Sequence, residues 1–115
     1  KCGAVKGACD HVEMGNLTEL LSKIQPAVYQ EKDTTDNRTS KNSEFVENVA
    51  EINVKRSVKN IIERSFVLEQ MLEEGQIGIV GAMHDIESGK VIFYDDVMYI
   101  KDDLNPEFTV AALRH

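Results

Sequence analysis

Between Phe45 and Ile62 the apolar residues Phe45, Val46, Val49, Ile52, Val58, Ile61 and Ile62 recur largely at three- and four-residue steps. That spacing lines them up on one stripe of a helix and predicts a long one over 44–63, capped by Asn42 or Ser43. A helix with one apolar face has to bury that face against another element, so this segment limits what the rest of the chain can be. Ser65 restarts a shorter helix carrying Val67, Leu68, Met71 and Leu72, and Gly75 supplies its stop. Upstream, Asn16 reads as an N-cap for a helix near 17–30 that carries Leu17, Leu20, Leu21, Ile24 and Val28, with Pro26 kinking or ending it. A helical turn or two is expected after Gly3. From Gln30 to Glu44 no residue is apolar, so 33–42 reads as a solvated loop.

Past Gly75 the pattern changes to strand. Ile77, Ile79, Val80 and Met83 lead into Asp85-Ile86-Glu87-Ser88-Gly89, and Val91-Ile92-Phe93-Tyr94 follow, which predicts a hairpin with Ser88-Gly89 at its tip. The stretch from Asp95 is acidic. Asn105-Pro106-Glu107 has the form of a cap followed by proline at a first helical position, and a last short helix through Ala111 and Leu113 is expected. One hairpin is too small a sheet to cover these helix faces. The chain therefore reads as the C-terminal part of a larger α/β domain, or as a protomer that needs partner chains.

The 115 residues allow one domain at most, and a net charge of -7 argues against a nucleic-acid surface or an anionic membrane. No apolar run approaches the roughly 18 residues of a membrane helix. No secretory leader opens the chain, which by itself locates nothing; the two cysteines, Cys2 and Cys9, read as free thiols in a reducing compartment, and a cytoplasmic location is expected from them. On a helix they would stand about 10 Å apart, too far to bridge. Asn16-Leu17-Thr18 and Asn37-Arg38-Thr39 match the glycosylation sequon, a short pattern to which no glycan is assigned.

Lys1-Cys2-Gly3-Ala4-Val5-Lys6-Gly7-Ala8 resembles the segment around the second zinc cysteine of the β-class carbonic anhydrases, where a His-x-x-Cys-Gly-(Gly/Ala)-x-x-(Gly/Ala) run closes the metal site. The likeness continues through Gly15-Asn16-Leu17, Ile24-Gln25-Pro26-Ala27-Val28, the 45–54 segment, and the strand pair Gly75 to Met83 and Gly89 to Tyr94. It covers about residues 1–95, leaving 96–115 as an acidic tail. The resemblance implies an α/β fold with amphipathic helices and a closing hairpin at the edge of a mostly parallel sheet. It also implies a homodimer or higher homo-oligomer. The implied activity is reversible hydration of carbon dioxide to bicarbonate by a zinc-bound hydroxide.

In that reading Cys2 is a zinc ligand, because a thiolate is a soft, charged donor suited to Zn²⁺. Gly3 and Gly7 let the backbone turn beside the metal and support an anion, and Lys6 is a solvated charge. The family's Cys-x-Asp-Ser-Arg motif, its Asp–Arg pair and its zinc histidine would lie upstream of Lys1. These residues then supply one ligand of three and are inactive by themselves. Cys9 is expected to pack in a helix, and His11 and His115 to be surface residues. His84 stands where many members carry a tyrosine that serves a noncatalytic bicarbonate pocket, and the substitution argues against such regulation here. The alternative is a non-catalytic interaction or regulatory protein that has lost the zinc site. A redox module built on Cys2 and Cys9 ranks last, for want of Cys-x-x-Cys spacing.

Overall fold

The computed structural model describes residues 2–102 and 105–110, with side chains described for residues 2–100. Five helices precede three strands: α1 (Gly3–Cys9), α2 (Gly15–Ser22), α3 (Gln25–Gln30), α4 (Ser43–Arg64), α5 (Phe66–Glu73), β1 (Ile79–His84), β2 (Val91–Asp102) and β3 (Asn105–Val110). They fall into two compact units, one ending at Asn53 and one starting at Val54.

In the first unit, Val5, Ala8 and Cys9 of α1, Ala27 and Val28 of α3, and Phe45, Val46 and Val49 of α4 form one buried cluster. Phe45 and Val49 are fully buried, four residues apart on one face of α4. Asn42 caps that helix, its Oδ1 accepting from the Phe45 N–H at 3.3 Å. The single helix expected near 17–30 is two. Pro26 stands in the first turn of α3, where its missing N–H costs nothing, so it begins a helix instead of bending one. Asn16 likewise lies inside α2, whose N-cap is Met14.

In the second unit, Ser65 caps α5 by accepting from the Leu68 N–H at 3.2 Å. Gly75 ends that helix at φ 76°. The Gln76 N–H donates to Met71 O at 2.9 Å and the Gly75 N–H to Leu72 O at 3.0 Å, the paired bonds of a Schellman stop. The three strands form one sheet in the order β1-β2-β3. Ala82 faces Phe93 and His84 faces Val91 across the β1–β2 hairpin, and the register slips at a bulge between Val80 and Gly81.

The expectation of a mostly parallel sheet is wrong for this chain. Both pairings among the described residues, β1 with β2 and β2 with β3, are antiparallel. The reason lies in the connections. Six residues join β1 to β2 and two join β2 to β3, whereas a parallel crossover needs a dozen or more. The Asn105-Pro106-Glu107 segment also departs from expectation, since 105–110 is strand β3 and starts no helix. Ala111 and Leu113 lie outside the described residues.

Gly81 marks the closest approach in this unit. A Cβ added there would stand 2.7 Å from Val97 Cγ2 and 2.8 Å from Val54 Cγ1. Both are β-branched side chains, stiff at χ1, so a Cβ there forces a shift. Gly81→Ala is expected to lower stability by about 1–3 kcal/mol through overpacking. Urea unfolding of the two proteins side by side checks this, and equal midpoints would refute it.

Candidate functional site

Cys2 precedes the first turn of α1 in extended geometry, φ -75° and ψ 124°, and its side chain makes no capping hydrogen bond. The thiol is free and exposed. The Lys6 N–H donates to Cys2 O at 3.1 Å, closing the first helical turn. A Cβ added at Gly3 would meet no atom within 4 Å among the described residues, so Gly3 borders open space. Gly7 works differently: its missing Cβ would stand 3.2 Å from Leu21 Cδ1, so its smallness lets α1 lie close to α2.

Cys9 is 1% exposed. Burial, and after it the neighbouring Asp10 carboxylate, push its thiol up to about 11. The two cysteines should therefore separate chemically. Titration with an alkylating thiol reagent at neutral pH is expected to modify Cys2 quickly and Cys9 only after denaturation. Two fast thiols in the native protein would refute the placement of Cys9.

His11, exposed, has a left-handed φ of 54°, and its ring centroid lies 6.2 Å from that of Tyr29. His84 is exposed at the end of β1. His115 lies outside the described residues. Among the described residues no group of three or more His, Cys, Asp or Glu side chains is placed to hold a metal ion. One thiolate does not make a zinc centre, which takes three or four protein ligands. This donor set therefore does not by itself fit the metal that the resemblance implies. No helix among the described residues is long and apolar enough to cross a membrane.

A polar cluster with no visible sequence signal lies in the same unit as Cys2. Glu31, 2% exposed, accepts from the Thr34 N–H at 3.1 Å, Thr34 Oγ1 at 2.6 Å, Asn48 Nδ2 at 2.9 Å and Arg38 Nη1 at 3.0 Å. Arg38 also donates to Glu31 O, Thr34 O and Val28 O, and its guanidinium lies 4.6 Å from the centroid of the Phe45 ring. Burial alone would raise the Glu31 carboxyl, but the hydrogen bonds from Thr34, Asn48 and Arg38 outweigh it and hold the group at about 2. The 33–42 loop is thus polar yet tied down. It ends in a second tie: Ser40 N–H and Oγ donate to the two oxygens of Asp10, at 2.7 and 2.6 Å.

The family model for carbonic anhydrase matches residues 1–91, a span that opens on the Cys2 segment and runs through the hairpin. Searches of curated proteins and of solved structures each give no match. With four fifths of its length inside that family model, the chain belongs to the carbonic anhydrase family.

Proposed function

We propose that this protein takes part in the reversible hydration of carbon dioxide to bicarbonate, with Cys2 as one ligand of a zinc ion whose other ligands come from outside these 115 residues. The observation that carries the reading is the family match over the segment that begins at an exposed, uncapped thiol. When bound, zinc would activate a water molecule for attack on carbon dioxide. The part played by this chain is to hold the sulfur. α1 is fixed through its buried face, with Cys2 at its exposed end and Gly3, the next residue, bordering open space.

Association into a homodimer or higher oligomer belongs to the same proposal. Val91, Phe93 and Ile100 are each about half exposed on β2, an apolar surface that association would cover. The test is zinc content and carbon dioxide hydration, measured on the 115-residue polypeptide and on any longer or assembled form. The polypeptide alone is expected to hold no stoichiometric zinc and to be inactive, with both properties appearing once the missing donors are present. A complete form that oligomerises without zinc would favour the non-catalytic reading instead.

A further inference from the structure

We propose that the outer face of α5, together with the last turns of α4, is a self-association surface that meets the same surface of a second copy across a two-fold axis. This rests on the association proposed above and adds a contact through residues other than Val91, Phe93 and Ile100. Phe66 and Val67, the first two residues of α5, are 76% and 65% exposed, and Ile61, near the end of α4, is 41% exposed. Exposed apolar residues are ordinary singly, but these stand close together and form a patch. Ser65 already caps α5, so the helix start does not call for an aromatic residue at Phe66. At 100° per residue, Gln70, Glu73 and Glu74 share the exposed side of α5 with Phe66 and Val67, while Leu72 is buried on the other side.

The patch has charge of opposite sign at its two ends. Before it on α4, Arg56, Lys59 and Arg64 outnumber Glu63, and Lys59 and Arg64 are exposed. After it, α5 and its C-cap carry Glu69, Glu73 and Glu74 and no basic residue. Arg64 in the last turn of α4 and Glu69 in the first turn of α5 complement the helix dipoles. Glu73 and Glu74 do not, because they stand at the negative end of α5, so helix stability gives no account of them. The strip therefore reads basic, apolar, acidic. A two-fold rotation reverses that order, so the basic end meets the acidic end twice and the patch meets itself. A partner carrying one sign of charge would be repelled at one end. The local pairing also matters in a chain of net charge -7, whose copies otherwise repel each other.

The experiment is sedimentation equilibrium of the intact protein over a concentration series, with thermal unfolding by circular dichroism recorded for each variant. Phe66→Ser is expected to raise the dissociation constant of one assembly step about tenfold. Arg64→Glu and Glu74→Lys, each alone, should do the same, because each sets like charges against each other at both ends of the contact. An equimolar mixture of the two charge variants should recover the affinity of the parent, since opposite signs then face each other at both ends. Assembly unchanged in all three variants would overturn this surface and leave the association through β2 standing. A parent that stays monomeric throughout would overturn both. Weakened assembly with no recovery in the mixture would mean that unlike surfaces meet, and would overturn the two-fold contact. A Phe66→Ser protein that is less stable to heat but assembles as the parent does would place the patch inside the fold of a longer chain, and would overturn it as well.

Discussion

Phe45→Ala is expected to be the most damaging single truncation in the first unit, at about 3–5 kcal/mol. Phe45 is fully buried and packs in the cluster formed by α1, α3 and α4. Its removal empties the largest of the fully buried side-chain positions. It also takes away the ring on which the Arg38 guanidinium rests, so the polar cluster around Glu31 loses its apolar floor. A loss this large is a substantial fraction of the 5–15 kcal/mol that holds a typical domain folded. Denaturant unfolding followed by circular dichroism measures it. Phe45→Leu, which refills part of the volume, should recover more than half of the loss. A cost below about 1 kcal/mol for the alanine protein would show that the site collapses or that the ring is not buried.

Glu31→Gln should change how stability depends on pH. The folded protein holds the Glu31 carboxyl at about 2 against an ordinary 4.5. Because the folded form favours the charged carboxylate more than the unfolded form does, this group adds stability above about pH 4.5. That contribution is lost progressively as pH falls from 4.5 towards 2. The gap amounts to about 3 kcal/mol. Glutamine keeps the shape but not the charge, so it offers Arg38 and Asn48 a weaker acceptor and gives up most of that stability at neutral pH. The expected result is a variant less stable than the parent at pH 7, with the difference closing towards pH 2. Parallel stability curves across that range would mean that Glu31 is not held as a buried carboxylate.

The parts of the fold that were legible in the sequence are those set by local chemistry. The stripe from Phe45 to Ile62, the Ser65 cap, the Gly75 stop and the Ser88-Gly89 turn each act over a few residues, and each is found where its pattern places it. Pro26 and Asn105-Pro106 were harder because proline tolerates several settings, and neighbouring strands or helices decide among them. The parallel sheet was an inference from resemblance alone. The short connection after His84 is the hairpin that the sequence pattern predicted, which already sets an antiparallel pair, whereas β3 stands where a helix was expected. The Glu31–Arg38 cluster had no visible signal. Two opposite charges in a run of polar residues look the same whether solvated or buried, and only tertiary packing separates the cases. At the candidate site, the family motif singled out Cys2, and the structure shows its thiol free and exposed.

Cobalt substitution bears most directly on the zinc assignment. A thiolate bound to Co²⁺ gives a sulfur-to-metal charge-transfer band in the near ultraviolet that oxygen and nitrogen donors do not produce. The intact protein loaded with Co²⁺ in place of zinc is expected to show that band, to keep it at full strength in Cys9→Ala, and to show it weakened or absent in Cys2→Ala, since the resemblance implies a second cysteine ligand upstream. A band of equal strength in the Cys2→Ala protein would contradict the account.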